Sequence, residues 1–235
     1  MPPLCPVICA FGKVLCPIVI GKSTVVARPH HKEKYGMDAD FWDARYRSHD
    51  QLFSGAPNGV LVTEITGMPP GQALDVGCGE GADALWLARH GWQVTAIDIA
   101  STALQRAAAA TELPDRIAWL RADLAVTPPP PGAFDLVSAQ YFPLHRRPHH
   151  IALRGLLDAV APGGTLLFVG HDLADLTPDD TPGVNPADYY RPTDIAELLD
   201  STWTIQINEA RPRIAPAPIG THHTRDTILR AQRLR

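Results

Sequence analysis

Leu74-Asp75-Val76-Gly77-Cys78-Gly79-Glu80-Gly81 sets three glycines at alternate positions directly after a short apolar run. Such a turn lets the backbone take positive φ and come within contact distance of a ligand. In an open α/β sheet, ligands sit at the carboxyl ends of the strands, where the strand order reverses. The flanks fit that setting. Residues 73–76 read as a strand, and 82–89 as a helix with Ala84, Leu85, Leu87 and Ala88 on or near one face. Gly91 stands past its end as a C-cap.

The alternation continues down the chain. Residues 94–97 read as a second strand, 101–110 as a second helix carrying Leu104, Ala107 and Ala108, and 117–120 as a third strand. Prolines at 128–131 stand in place of a long crossover helix. Residues 134–139 form a fourth strand. Leu153, Leu156, Leu157 and Val160 then recur at helical spacing, with Pro162-Gly163-Gly164 as the stop. A fifth strand covers 165–169, a polar, proline-rich insert 172–191, and Thr193 caps a short helix to 200. Trp203, Ile205 and Ile207 alternate with polar residues as in a half-buried strand, and 224–233 read as the last strand. Two strands joined without a helix pair antiparallel. The expected architecture is α/β: a mostly parallel sheet with helices on both faces and a closing hairpin. An amphipathic helix over 38–49 and an apolar helix ending near Gly67 precede it.

The chain's 235 residues suit one such domain, expected over 37–235. With 20% charged residues and a net charge of −4, it offers no basic face for nucleic acid. Cys5, Cys9, Cys16 and Cys78 form neither a disulfide framework nor a zinc pattern, so no metal is expected and a reducing, cytoplasmic setting is. Residues 4–21 are apolar, but Lys13, Pro6 and Pro17 interrupt them, which argues against a membrane span. Residues 1–36 therefore read as a disordered or loosely attached extension. Gly21-Lys22-Ser23-Thr24 looks like the end of a P-loop, yet Cys16 stands where its first glycine belongs.

The glycine loop by itself admits two cofactors. Gly77-x-Gly79-x-x-Ala82 satisfies the dinucleotide fingerprint, and Asp98 ends the second strand about 20 residues on, so a nicotinamide-dependent oxidoreductase is one reading. Three features favour S-adenosylmethionine (SAM). Asp75, two residues before the first glycine, would repel a pyrophosphate and suits an ammonium and a sulfonium. Arg121-Ala122-Asp123-Leu124 ends the third strand with an acid able to accept from an adenine amino group. The helix-free closing pair of strands is the third.

From about Phe41 onward the chain resembles the class I SAM-dependent methyltransferases, whose first motif is similar to residues 74–81 almost residue for residue. The resemblance implies a Rossmann-like seven-stranded sheet of order 3-2-1-4-5-7-6 with strand seven antiparallel. It implies that Gly77, Cys78, Gly79 and Gly81 wrap the methionine part of SAM, with Asp75 near its amino group. Asp98 and Ile99 would take the ribose, Ala122, Asp123 and the Leu124 amide the adenine, and Ala139 and Gln140 would line the methionyl part. Phe41-Trp42-Asp43-Ala44-Arg45-Tyr46, followed by Gly55-Ala56-Pro57-Asn58, is similar to the N-terminal cover of tellurite-resistance and thiopurine methyltransferases. In that cover, Tyr46 or Arg45 would reach the SAM carboxylate. Phe53 stands where a tryptophan is expected, so the substrate class stays open.

Histidines gather near the predicted rim: His145, His149 and His150 after strand four, His171 after strand five, His222 and His223 before strand seven. His145 and His171 are the candidate general bases, since imidazole titrates near neutral pH; for each, a solvated loop histidine is the alternative. The expected reaction is an in-line methyl transfer to a small-molecule S, O, N or chalcogen nucleophile, without nucleic acid or membrane partners. A SAM-binding protein that does not catalyse is the other reading.

Overall fold

The computed structural model describes residues 37–172, 185–214 and 224–235. The expected extension over 1–36, part of the proline-rich insert, and His222 and His223 lie outside the described residues.

The centre of the sheet is β1 (Gln72–Val76), with Ala73, Leu74 and Val76 at most 1% exposed. Strands covered on both faces read as nearly continuous apolar runs, and Asp75 is the exception among the buried residues of this one. β2 (Gln93–Asp98) and β3 (Ile117–Arg121) extend the sheet on one side. β4 (Phe134–Gln140) and β5 (Val160–His171) extend it on the other, all of them parallel. β7 (Arg225–Arg233) pairs antiparallel with β5, and β6 (Trp203–Pro212) forms the outer edge. The order is 3-2-1-4-5-7-6, as the resemblance implies. The chain leaves β1 with β2 on one flank and β4 on the other, so the glycine loop opens at the point where the order reverses.

Helices cover both faces. One face packs Leu74, Val137, Phe168 and Leu229 against α5 (Ile151–Ala159) and α6 (Pro192–Leu198). The other packs Ala73, Leu136, Leu167 and Ile228 against α2 (Gly59–Ile65), α3 (Ala82–Arg89) and α4 (Ser101–Ala109). α1 (Ala39–Arg47) starts at Asp38, whose carboxylate accepts the Phe41 amide at 2.9 Å. No helix forms between β3 and β4, where the prolines exclude one.

Four local expectations are corrected. Val160 begins β5 instead of ending α5: its backbone is extended (φ −68°, ψ 127°) and it pairs with Phe134. A bulge between Phe134 and Leu136 takes Pro162-Gly163-Gly164 into the strand instead of stopping a helix there. Val160 shares the helix's spacing because it faces the same core. Thr193 does not cap α6. Pro192 opens it, the position where a missing N–H costs nothing, and Asp194 reaches back to accept the Arg191 amide at 2.8 Å. Finally, Ile205 is 44% exposed, because a register shift between Ile205 and Ile207 breaks the alternation on the edge strand.

α2 is joined to the closing hairpin by charge as well as by packing. Glu64, 7% exposed, accepts from Arg211 of β6 and from Arg230 of β7, the latter at 3.3 Å. Glu64→Ala takes from Arg230 its carboxylate partner and leaves Arg211, among the described residues, only the exposed Glu209 at 3.5 Å. Both arginines are about a quarter exposed (Arg211 26%, Arg230 24%), so the fully buried figure is discounted and the expected loss is about 2 kcal/mol. Urea unfolding measures it; an unchanged midpoint would show that apolar contacts alone seat α2.

Candidate cofactor and acceptor site

The glycine loop is fastened to the end of β2. The Gly77 and Cys78 amides both donate to the Ile97 carbonyl, at 2.8 and 3.0 Å. The Gly79 amide donates to Asp98 Oδ2 at 2.9 Å, and Asp98 Oδ1 accepts the Ala100 amide at 2.8 Å. Asp98 thus sets the loop and the start of α4 together. At Gly79 (φ 53°) a Cβ would stand 2.9 Å from the Tyr46 hydroxyl. At Gly81 (φ 87°) it would strike the Trp119 ring at 2.6 Å and Ala107 at 2.9 Å, so that glycine is demanded by packing against β3 and α4.

Three buried carboxyls surround the loop. Burial drives Asp75 well above the usual carboxylate range, and the charges of Asp83 and Asp98 push it further. Its Oδ2 is buried with no hydrogen-bond partner among the described residues. Burial also raises Asp83, although the Asn58 amide (2.7 Å) and side chain (2.8 Å) both donate to it. Asp98 is raised by burial in spite of the Ala100, Gly79 and Ile99 amides. The Cys78 thiol, pushed up by burial and then by Asp75 and Asp98, stays protonated. Arg106, the cation beside the loop, is engaged by Glu80 at 2.8 Å.

The other cofactor candidates converge on the same edge. The Ala122 amide donates to the Asp98 carbonyl at 3.1 Å, and Arg121 Nε donates to the Ile99 carbonyl at 3.0 Å. Asp123 is half-buried and turns the chain by accepting the Ala125 amide at 2.9 Å; Leu124 is buried beside it. At the end of β4, Ala139 is buried, and Gln140 donates to Ser138 at 3.0 Å while its Oε1 has no partner among the described residues. Tyr46 is 3% exposed and packs edge-on to Phe53, with ring centroids 6.1 Å apart. Burial raises its phenol, with Asp98 and Glu80 adding, so it stays neutral. Arg45 instead lies over the Trp42 ring at 5.9 Å. Of the two residues proposed to reach the cofactor's carboxylate, Tyr46 is the one at the loop.

The two histidine candidates part company. His171 ends β5 and stacks on Tyr141, centroids 4.5 Å apart at 22°. Tyr141 follows β4 with φ 54°, donates to Asp226 Oδ1 at 2.8 Å and lies 4.9 Å under the Arg213 guanidinium. Burial and then the Asp226 charge raise its phenol, so it keeps the donated proton. His145 instead bonds the Arg146 carbonyl at 3.0 Å and forms a bridge with Tyr189, ahead of α6. His150 contacts the Tyr190 hydroxyl, and His149 and His150 both sit at left-handed φ, 61° and 54°. Tyr141, Arg213 and Asp226 went unnoticed in the sequence. The one signal in the sequence is Asp226, an acid at the head of a strand that continues into the apolar Ile228-Leu229.

Residues 73–164 match the methyltransferase domain family. Over 188 residues, 73% of this chain and 80% of the other, the sequence is 30% identical to the 2-heptyl-1-hydroxyquinolin-4(1H)-one methyltransferase of Mycobacteroides abscessus. The chain belongs to the class I SAM-dependent methyltransferases. It spans only 18% and 48% of the length of two other curated relatives, a ribosomal RNA methyltransferase of Alcanivorax borkumensis and an uncharacterized methyltransferase of Mycobacterium bovis. The fold agrees. A protein solved in work on the conversion of a disulfide bond into a thioacetal group during echinomycin biosynthesis superposes with TM-score 0.66 at 22% identity, over 83% of this chain and 92% of that one. A SAM-dependent methyltransferase of Mesorhizobium loti gives 0.57 at 20% identity, over 74% and 96%.

SAM is the cofactor of this family, and the residues fit it. The orphaned Asp75 oxygen, the unpartnered Gln140 carbonyl and the three buried carboxyls around the loop all complement a cationic ligand. In the cofactor-free methyltransferase, the raised carboxyls make the folded state bind more protons than the unfolded chain. Stability therefore falls as pH rises from the ordinary carboxylate range through the raised values. Asp75→Asn removes the carboxyl that burial raises well above the ordinary range despite the Ala84 amide. The cofactor-free variant is expected to melt about 3 °C higher near neutral pH, the shift about 1 kcal/mol produces in a domain of this size. Its melting temperature should also decline less between acid and neutral pH. A melting curve at or below wild type throughout would contradict the electrostatic reading.

Proposed function

We propose that this chain transfers the SAM methyl group to a hydroxyl of a small aromatic acceptor by in-line displacement. The observation that carries this reading is the grouping of His171, Tyr141 and Asp226 where β4 and β5 end and β7 begins, beside the carboxylate-rich loop. Two relatives support the acceptor type: the hydroxyquinolone methyltransferase and, at 37% identity over 111 residues, a ubiquinone biosynthesis O-methyltransferase of Albidiferax ferrireducens. A net charge of −4 disfavours a nucleic-acid acceptor. The ribosomal RNA methyltransferase matches over only 60 residues, 24% of this chain. The raised carboxyls likewise disfavour a dinucleotide pyrophosphate.

Bound SAM supplies a methyl group on a positive sulfur, so the leaving group departs neutral. The protein's work is then to align, to exclude water and to manage one proton. In this reading Asp75 and Gln140 take the ammonium, Gly77, Cys78, Gly79 and Gly81 wrap the methionine part with Ala139, and Tyr46 meets the carboxylate. Asp98 and Ile99 take the ribose; Ala122, Asp123 and Leu124 take the adenine. His171 accepts the acceptor's hydroxyl proton. Its ring plane is set by Tyr141, which is itself tied down by Asp226. His145, bonded to the segment before α6, lines the rim.

A general base contributes about 10²–10⁴-fold. His171→Ala should therefore lower kcat by about 10²-fold toward a phenolic or N-hydroxy acceptor, and leave the SAM dissociation constant within about twofold. A labelled-methyl screen over hydroxyquinolones, phenols, quinols, thiols and tellurite identifies the acceptor. Full activity of the His171 variant, or turnover of thiols and tellurite alone, would remove the base from the mechanism. SAM binding with no transfer to any acceptor would favour a sensor instead.

A further inference from the structure

The segment after α1 is held over the glycine loop by polar bonds more than by burial. Residues 47–51 and 53–56 are exposed, Leu52 is half-buried, and Phe53 is 45% exposed even while its ring faces Tyr46. What fastens this segment is Glu80, inside the loop itself. Its carboxylate accepts the Leu52 amide at 3.1 Å, the Phe53 amide at 3.2 Å and Arg106 Nη1 at 2.8 Å. Arg106, reaching from α4, turns its other nitrogen to the Tyr46 and His49 carbonyls, at 3.0 and 2.7 Å. Tyr46 lies in the last turn of α1 and His49 just past its C-cap, Ser48, where helix-end carbonyls have acceptor capacity to spare. One ion pair thus satisfies donors and acceptors on both sides of the segment's bend. The pair is sheltered, with side chains 14% and 29% exposed. A second tether lies at each end: Asp43 accepts the Thr102 amide at 2.8 Å, and Asn58 donates to Asp83. Asp43 feels burial first, which raises it, yet Thr102 holds it below the ordinary range.

We propose that Glu80 and Arg106 latch residues 46–53 over the cofactor loop, and are positioning residues that slow cofactor release. The inference rests on the reading that the loop holds SAM. Tyr46 and Phe53, the side chains a Cβ on Gly79 would meet, belong to this segment, so undoing the pair loosens the cover directly above the loop. Charge-assisted bonds of this kind are among the stronger ones available to an exposed segment, and segments with little apolar burial open locally well below the global unfolding energy.

Two measurements separate the latch from the cofactor. Trypsin cleavage after Arg47 reads opening of the segment in the cofactor-free protein. Stopped-flow tryptophan fluorescence, with Trp42 on α1, reads S-adenosylhomocysteine release. Glu80→Ala and Arg106→Ala should each raise both rates about tenfold, with the double variant above either single one but short of their product, because the two share the ion pair while each also holds its own backbone groups. Glu80→Gln, which still accepts the two amides, should fall between. Glu112→Ala, which removes an exposed pair with Arg89, should match wild type. Cleavage and release both within twofold of wild type in the folded variants would overturn the latch. Faster cleavage with unchanged release would overturn its part in retention. Normal latch behaviour in a wild-type protein that binds no S-adenosylhomocysteine would instead overturn the cofactor reading, and retention with it.

Discussion

The bond from the Gly79 amide to the Asp98 carboxylate joins the loop of one strand to the end of the next, and the rest of the site is built outward from it. The same carboxylate receives the Ala100 amide, so it also fixes where α4 begins. α4 in turn carries Arg106 to Glu80 and presents the Thr102 amide to Asp43, which seat the cover. A change at Asp98 therefore acts on three things at once: a candidate ribose acceptor, the shape of the glycine loop, and the footing of the segment above it. A carboxylate oxygen has lone pairs for more than one donor, so holding the loop and accepting from a ligand are compatible roles.

The electrostatics of the loop are one-sided. Asp75, Asp83 and Asp98 are each raised primarily by burial, and Asp75 keeps an oxygen with no partner among the described residues. A protein selected for stability alone would not retain such a cluster, because every unpaired buried carboxyl opposes folding as it ionises. Sites that break local rules of this kind are where function is expected. A ligand carrying an ammonium and a sulfonium removes the conflict, whereas a pyrophosphate deepens it. The choice between two cofactors that share a glycine fingerprint thus rests on the charge of the protein around the fingerprint, more than on the glycines.

Much of the fold was legible because parallel strands buried on both faces announce themselves as short apolar runs, and because Asp75, Asp98 and Asp123 mark successive strand ends. Where legibility failed, tertiary contacts had overridden a local pattern. Val160 keeps helical spacing but joins β5, since one core accepts it from either element. Ile205 alternates with Ile207 in the sequence, but a register shift separates the two. Thr193 is a sound cap residue displaced by Pro192 and Asp194 one step away. Glu80 stands between two glycines; its partners lie 26 to 28 residues off, and nothing local betrays them.

The two halves of the site differ in legibility for one topological reason. Apart from Tyr46 on α1 and Ala139 and Gln140 at the end of β4, the candidate cofactor residues sit at or just past the ends of β1, β2 and β3, which follow one another in the chain and in the sheet, so each strand's end could be found by counting onward from the last. The candidate acceptor residues sit where β4 and β5 end and β7 begins. There the antiparallel pairing sets Asp226 opposite His171, and Asp226 accepts from Tyr141 across 85 residues of sequence. Tyr141 also depends on a left-handed backbone that no tyrosine advertises. A histidine read from sequence alone could be placed on the rim, but not assigned a neighbour. His145 and His171 looked equivalent until the sheet gave one of them a stacked tyrosine and tied the other to the strap before α6. In the proposed reading, the consecutive half of the sheet fixes the methyl donor. The half assembled from distant segments is free to vary with the acceptor, which is why family membership specifies the cofactor and leaves the acceptor to be found by experiment.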